Sequence, residues 1–346
     1  MHKIKRSSLR SIADALGLTS TTVSCILGNR GGPYAAETKA QVIEEAKRQK
    51  YRPNRIFAGI RGGLTGIAGV LIENKGHFLS NIINGIQDKF WENDTVMMLT
   101  YNKYRFSSAE WESDAERQAI HSLIDRRVDG IILNTSNDAY DQHYFEEVWE
   151  RRLPLILVDR SMPLVNADFV GTDHEAVGRQ AAQYLLELGH RRLLFCGQGS
   201  ECNAGLREGG FREVIGRHPD AEVGNIFWSE EDFEGRLRHM LSESGHRPTG
   251  LFCMNDWVAT QVARIAEEVG LSTPRDLSIL GCGDQHLSDP HGLSLSSFDQ
   301  KPRQIGEAAA MKYLQRVKAG MGTGAVDRTL IDAELIVRGS TGPVPA

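Results

Sequence analysis

The sequence of 346 residues lacks several features that would assign it to common protein classes. It has no apolar run of 18 residues, which excludes an ordinary membrane-spanning helix. Its basic N-terminus has no apolar signal-peptide core, so we expect a cytoplasmic protein. Its five cysteines are scattered, without CxxC pairs or zinc-ligand spacing, and we expect most of them to be small buried side chains.

Enzyme motifs are also missing. The sequence has no GxxxxGK[ST] phosphate loop and no GxSxG nucleophile elbow, and the stretch GQGSEC at 197–202 does not fit GxGxxG. The eleven histidines are dispersed rather than grouped with cysteines or carboxylates as a metal site would require. We therefore predict a protein that is not an enzyme and that holds no cofactor and no metal.

The first 29 residues predict two short helices joined by a tight turn. Ile12, Ala13 and Leu16 recur at helical spacing, and Gly17 can adopt the positive φ that ends a helix. Thr19 can then cap a second helix that turns its apolar residues Val23, Ile26 and Leu27 inward. This is the pattern of a helix-turn-helix, whose second helix enters the major groove of DNA. The alternative is a purely structural three-helix cap.

Charge favours the DNA-binding alternative. Through Gly62 the chain has twelve basic and four acidic residues, a net charge of +8, whereas the remainder has a net charge of −13. A basic segment attached to an acidic body is typical of phosphate binding, because each neutralised phosphate releases a counterion.

The segment 53–65 marks a boundary. Pro53 can begin a short helix, but three glycines make that helix weak in isolation, so the segment is either a helix that orders only against a partner or a flexible linker. We predict a DNA-binding headpiece at 1–52, a hinge at 53–65 and a body at 66–346.

From residue 67 onward, apolar runs alternate with amphipathic helical stretches. The runs occupy 67–72, 96–99, 130–133, 155–158, 193–196, 250–254 and 277–281. This alternation predicts an α/β body with parallel sheets, and the number of strands predicts two lobes, roughly 66–160 with 290–322 and 161–289 with 323–346. Polar residues follow several runs, and parallel sheets bind ligands at these strand ends. We therefore expect a ligand cleft between the lobes.

The chain resembles the lactose-repressor/galactose-repressor (LacI/GalR) family of bacterial transcription regulators over nearly its whole length. The motifs that carry the resemblance are IADALGLT at 12–19, TVS at 22–24, YRPN at 51–54, IR at 60–61, VDGIIL at 128–133, VDR at 158–160, LGHR at 188–191, Arg207 ahead of GF at 210–211, ND at 255–256 and VRGS at 337–340. The resemblance implies a helix-turn-helix headpiece, a hinge helix and a bilobed periplasmic-binding-protein-like core for a small effector. It also implies a nucleoid-associated homodimer that binds a pseudo-palindromic operator, with a sugar or sugar derivative as the effector.

Three departures from the family pattern concern binding. Cys25 stands where the family usually has a base-reading arginine, and a cysteine cannot make the bidentate guanine contact. The third helix is expected to begin at Ala35 or Ala36 without a capping hydroxyl. Gly283 occupies the position of a cleft aspartate, and its neighbour Asp284 is the possible substitute.

Two sets of site residues follow. The candidate DNA-binding residues are Thr19, Ser20, Thr21, Thr22, Ser24, Cys25, Asn29, Tyr51, Asn54, Arg55 and Ile60, with Ile60 as an apolar wedge in the minor groove. The candidate effector-binding residues are Phe78, Leu79, Thr135, Asp159, Asn203, Arg207, Trp228, Asn255, Asp256 and Asp284.

Six of the effector candidates also have a structural alternative. Phe78, Leu79 and Trp228 could be core residues, and Asp159 could simply pair with an arginine. Arg207, predicted to begin a helix after a loop at 197–205, could be a surface charge, and Asn255 could cap a helix. Alternative functions are a sugar-binding transport protein, a carbohydrate-metabolising protein with an accessory head, and a DNA-binding protein without an effector.

Overall fold

A computed structural model describes residues 7–28, 34–52, 63–73, 76–102, 109–135, 145–162, 165–197, 202–228, 232–243, 245–284, 294–320 and 325–344. The chain divides into two compact units, Met1–Thr65 and Gly66–Ala346. The predicted hinge helix and the candidate residues Asn29, Asn54, Arg55 and Ile60 lie outside the described residues.

The first unit contains the predicted helix-turn-helix. Its described helices are α1 (Leu9–Leu16), α2 (Ser20–Leu27) and α3 (Ala36–Arg48). Gly17 has a φ of 66° and ends α1 in the left-handed region, and the side chain of Thr19 accepts a hydrogen bond from the backbone N–H of Thr22. Both predicted roles are confirmed, as is the start of α3 at Ala35, which provides no side-chain cap.

A small apolar core holds these three helices together. Its fully buried members come from all three helices and are Ile12, Ala13, Val23, Val42 and Ala46. Gln49, after α3, receives a hydrogen bond of 2.7 Å from Ser11 Oγ and donates one of 3.2 Å to the Ser11 carbonyl. This pair of contacts fixes the end of α3 against α1 and leaves the outer face of α2 uncovered within the unit.

The second unit is built on two six-stranded sheets, which confirms the α/β prediction. The first sheet has the order β11 (Arg328–Ile331), β5 (Asp168–Thr172), β4 (Leu155–Val158), β3 (Ile131–Leu133), β1 (Ile67–Glu73) and β2 (Val96–Asn102), with every pair parallel. The second has the order β12 (Glu334–Ile336), β10 (Ser296–Asp299), β9 (Ser278–Cys282), β8 (Gly250–Cys253), β6 (Arg192–Gly197) and β7 (Glu222–Phe227), in which β12 pairs antiparallel with β10.

Helices cover the sheets. The described ones are α4 (Gly76–Glu92), α5 (Ala109–Asp125), α6 (Glu146–Glu150), α7 (His174–Glu187), α8 (Cys202–Ile215), α9 (Phe233–Ser242), α10 (Asp256–Glu268) and α11 (Pro302–Ala319). In β1, Val70 and Ile72 pack towards α4 and α11, while Leu71 packs into a second cluster with α5. Because both faces are buried, the central strands are continuous apolar runs, which explains why the sequence revealed them.

The chain crosses between the sheets three times, and these crossings differ from the predicted lobes. Strands β5 and β11 belong to the first sheet and β10 belongs to the second, the reverse of the predicted assignment. These strands have the sequences DFVGT, RTLI and SSFD, which are too short and too polar to form apolar runs. We call the links after β5 (Asp173), after β10 (Gln300 and Lys301) and after β11 (Asp332 and Ala333) the first, second and third crossings.

Each sheet carries one helix pair that meets backbone to backbone. A Cβ atom at Gly85 of α4 or Gly306 of α11 would lie 2.1 or 2.0 Å from a carbonyl oxygen of the facing helix. The same relation joins Gly178 of α7 and Gly210 of α8, with distances of 2.0 and 2.1 Å. Glycine is therefore required at all four positions for the helices to approach this closely.

Across the described ranges, no helix has both the length and the apolar character needed to cross a bilayer. The same ranges contain no group of three or more histidine, cysteine or acidic side chains arranged to hold a metal ion.

Candidate functional site

Asp159 joins the two sheets at their carboxyl ends. It follows β4 with a φ of 66°, and its Oδ2 accepts a hydrogen bond of 3.4 Å from Asn134, which follows the neighbouring strand β3. Its Oδ1 accepts one of 3.3 Å from Asn203, which lies in the first turn of α8 beside the second sheet. The predicted residues Asp159 and Asn203 are thus in direct contact across the cleft.

Burial changes the acidity of Asp159. Loss of solvent raises the pKa of its carboxyl from 3.8 to about 6, although the positive charges of Arg207 and Arg160 act in the opposite direction. A carboxylate that is largely ionised at neutral pH in so dry an environment can accept strong hydrogen bonds from ligand hydroxyl or amine groups.

Arg207 is buried at the centre of the site, with only 6% of its surface exposed. Nε donates to His174 Nδ1 at 3.3 Å, Nη2 donates to Gln300 Oε1 at 3.0 Å, and Nη1 donates to the carbonyl of Met254. Contrary to expectation, α8 begins at Cys202, so Arg207 lies in its second turn. The surface-charge alternative is excluded, and three of the five N–H donors already have protein acceptors.

His174 is neutral at physiological pH. Burial and the nearby charge of Arg207 hold its pKa well below the ordinary value, and the Asp159 backbone opposes this only in part. Because Nδ1 accepts a hydrogen bond from Arg207, the single proton of the neutral ring is on Nε2. Neutral acceptors therefore surround the Arg207 guanidinium.

His174, Gln300 and Asn134 were missed as site residues. Asn134 and Gln300 come directly after a strand and His174 comes two residues after one, at the carboxyl end in each case, and this rule had identified Asp159. It could have identified His174 and Gln300 as well if β5 and β10 had been recognised as strands. Asn134 directly follows β3 and satisfies the same rule, although it is not among the predicted site residues.

Four effector candidates have mainly packing roles. Leu79 is buried in the core of the first sheet, and Phe78 packs against the same cluster. Trp228 contacts Trp257 and Phe233, with ring centroids 4.5 and 4.7 Å apart. Asn255 caps α10 by accepting a hydrogen bond of 2.8 Å from Val258 N.

Three further polar candidates have protein partners, namely Thr135, Asp256 and Asp284. Thr135 Oγ1 donates to the buried carboxylate of Glu116 at 2.9 Å. Asp256, 1% exposed, accepts a hydrogen bond of 2.5 Å from Ser297.

Asp284 forms an ion pair of 2.6 Å with Arg338. Through this ion pair, Asp284 contacts the C-terminal segment. Asp159 is the candidate acid that accepts a hydrogen bond from Asn203 and whose pKa is lowered by the charge of Arg207.

The helix-turn-helix forms a separate candidate surface. On α2, Ser20 and Thr21 are exposed, as expected for the outer face, whereas Ser24 and Cys25 are half-buried. The side chain of Cys25 is hydrogen-bonded to Tyr34, and this contact raises the pKa of Tyr34. Thr19 and Thr22 bond to each other at the start of α2.

Tyr51 packs against the core of the first unit, where burial raises its pKa. Its ring therefore contributes to the stability of the three helices.

Comparisons with known proteins agree with this architecture. Residues 182–341 match the model of the periplasmic binding protein-like domain. The HTH-type transcriptional regulator PtxS of Pseudomonas putida is 26% identical over 99% of this chain and 98% of its own length.

Two solved structures share the fold. A lac repressor dimer bound to operator and the anti-inducer ONPF has a TM-score of 0.74 at 24% identity and covers 98% of this chain and 100% of its own. A complex of the transcriptional regulator CelR with cellobiose has a TM-score of 0.66 at 21% identity, covering 97% and 100%. The helix-turn-helix, the paired parallel sheets and the full-length similarity to HTH-type regulators agree with the resemblance of this chain to the LacI/GalR family of transcriptional regulators.

Proposed function

We propose that this protein is a transcriptional repressor that binds a pseudo-palindromic operator as a homodimer and is controlled by a sugar or sugar derivative. The effector would bind between the carboxyl ends of the two sheets. The observation that carries the proposal is the contact of Asp159 with Asn203, beside Arg207, on opposite sides of that cleft.

The DNA-binding part rests on shape and charge. The described helix-turn-helix exposes short polar side chains on α2, and the residues through Gly62 have a net charge of +8. A dimer doubles the number of phosphate contacts and matches the symmetry of a palindromic site. Ile60 remains our candidate for the apolar wedge at the centre of the operator.

The effector part rests on the chemistry of the buried groups. Asp159 offers carboxylate oxygens, the side-chain amides of Asn134 and Asn203 donate to them, and the positive charge of Arg207 acts on the same carboxyl. Such a mixture of acceptors and donors suits a ligand with several hydroxyl groups. The related regulator CelR has been solved with cellobiose, which is consistent with a carbohydrate effector here.

Arg207 narrows the choice of sugar. Three of its donors are already bonded to the protein, and Asp284 is paired with Arg338 rather than placed beside Asp159. An unmodified hexose would therefore find one charged partner fewer, which costs about one to two decades of affinity. We expect a larger or modified sugar to bind more tightly.

DNA binding is tested by selecting duplexes from a randomised library with the full chain and measuring their affinity at several salt concentrations. We expect affinity to fall steeply with salt. Ser20→Asp places a negative charge on the outer face of α2 and should abolish binding, whereas Ser242→Asp makes the same change on an exposed position of the second unit and should not. Salt-independent binding, or equal effects of both variants, would contradict the proposal.

Effector binding is tested by a thermal-shift screen of sugars, sugar acids and sugar phosphates, because a ligand of the folded state raises the melting temperature. Asn203→Leu should eliminate the response to the best compound. Asn225→Leu removes an amide that bonds to Glu208 instead, and should preserve the response. A response that survives Asn203→Leu would exclude this cleft as the site.

A further inference from the structure

Two of the three crossings between the sheets meet at one side chain. His174 immediately follows the first crossing, at the start of α7, and Gln300 forms part of the second crossing, at the end of β10. Both accept hydrogen bonds from Arg207, at 3.3 and 3.0 Å. Among the contacts of the described residues, the guanidinium of Arg207 thus joins two segments that are 126 positions apart in the chain.

Arg207 is itself held firmly to the second sheet. Its third hydrogen bond goes to the carbonyl of Met254, which follows β8, and the carbonyl of Arg207 contacts Gly178 where α7 and α8 meet. A guanidinium is planar and its donors point in fixed directions, so all three contacts require one orientation of the group. Any movement of the guanidinium therefore alters both crossings together.

The same helix also contacts the first sheet. Asn203, one turn before Arg207, donates to Asp159 at 3.3 Å, and the charge of Arg207 lowers the pKa of that carboxyl. A ligand bound at Asp159 and Asn203 would consequently lie next to the guanidinium of Arg207, which is hydrogen-bonded to both crossings.

We infer that Arg207 is a positioning residue that couples the effector site to the crossings between the sheets, by holding the first and second crossings in one relative arrangement until a bound ligand shifts its hydrogen bonds. This inference rests on the proposed function, since it concerns how the same cleft is regulated. The two crossings are coupled through Arg207, although among the contacts described His174 and Gln300 have no hydrogen bond to each other.

Hydrogen exchange followed by mass spectrometry on the full chain tests this coupling without a known effector. Gln300→Met removes one acceptor of Arg207 and keeps a long, unbranched side chain. We expect the amides of Ala176 and Val177, which bond to Asp173 at the first crossing, to exchange about tenfold faster, as the loss of a hydrogen bond to a charged group implies. Gln300→Glu retains an acceptor and should restore slow exchange.

The control variant is Asp299→Asn. It alters the contact between Asp299 and Lys301 N at the second crossing, 2.8 Å long, but does not touch Arg207. It should speed exchange at Lys301 and leave Ala176 and Val177 unchanged. Amides of α9 should be unaffected by every variant, which would show that the unit stays folded.

Two results would overturn the inference. One is unchanged exchange at Ala176 and Val177 in Gln300→Met, and the other is an equal increase there in Asp299→Asn. Neither depends on DNA or effector binding. Conversely, a chain that selects no DNA sequence would refute the proposed function while leaving the exchange result intact.

Discussion

The two lobes of the second unit have matching helix pairs but unequal roles. In the first lobe, α4 and α11 meet at Gly85 and Gly306; in the second, α7 and α8 meet at Gly178 and Gly210. Only the second pair brings His174, Asn203 and Arg207 to the cleft. Close helix packing is thus a shared property of the scaffold, and the candidate site is added to one copy of it by residues in the first two turns.

Two buried aspartates show the same contrast. Asp168, in β5, accepts two hydrogen bonds of 2.6 Å from Arg316 and one of 2.8 Å from Asp327 N. Asp159 instead accepts single, longer hydrogen bonds from two neutral amides, and burial raises its pKa. The negative charge of Asp168, in the scaffold, is fully compensated by its hydrogen-bond donors. Asp159, in the site, can still accept hydrogen bonds from a ligand.

The largest effect should come from breaking the scaffold pair. Asp168→Asn leaves the guanidinium of Arg316, whose side chain is 19% exposed, without its bidentate partner. We expect a loss of about 3–5 kcal/mol in the free energy of unfolding, because removing one member of a buried pair leaves an uncompensated charge. Urea unfolding followed by tryptophan fluorescence measures this in the second unit alone, which contains all five tryptophans. Destabilisation below about 1 kcal/mol would show that the pair behaves as a surface ion pair.

The glycine contacts come next. Gly85→Ala and Gly178→Ala each place a methyl group against a backbone carbonyl, which the helices can relieve only by separating. We expect both to lower stability by about 3 kcal/mol. They should differ in function: Gly178→Ala displaces the backbone of Arg207 and should weaken binding of the compound found by screening, whereas Gly85→Ala should leave that affinity within about twofold. Equal losses of affinity would mean that the lobes are not separable in this way.

Much of the fold could be predicted because burial on both faces produces apolar runs. Strands β1, β4 and β8 have this character and were predicted within one residue at either end. The lobe assignment could not be predicted, since it depends on β5, β10 and β11. The strands β5 and β10 are buried but contain glycine, serine and aspartate, so they lack the pattern that marks a strand.

Site residues could be predicted where a polar side chain also occupies a strand end or a family motif. Asp159, Asn203 and Arg207 combine polar side chains with strand ends or a family motif, and the structure brings them together. The partners of Arg207 could not be predicted, because sequence pattern does not show which residues 126 positions apart will share one guanidinium. Leu79 and Trp228 illustrate the reverse case, since an apolar residue near a strand end is equally suited to packing.

The smallest predicted effect concerns the site carboxylate and is a gain of stability. The folded state holds the proton of Asp159 up to a pKa of about 6, whereas the ordinary value is 3.8. The stability contributed by this proton is complete below pH 4 and is lost as the pH rises through 6, so the ionised carboxylate is a cost at neutral pH. Asp159→Asn removes that cost and should stabilise the second unit by about 2–3 kcal/mol at pH 7.5 but not at pH 4.

Urea unfolding at the two pH values, followed by tryptophan fluorescence, measures this difference. Asp332→Asn changes an exposed aspartate and serves as the control, for which we expect no comparable pH-dependent gain. The stabilised Asp159→Asn variant should bind the screened compound poorly, because the amide replaces the carboxylate acceptor. A variant that is destabilised at pH 7.5 would show that the ionised Asp159 is compensated as completely as Asp168, and the contrast between site and scaffold would fail.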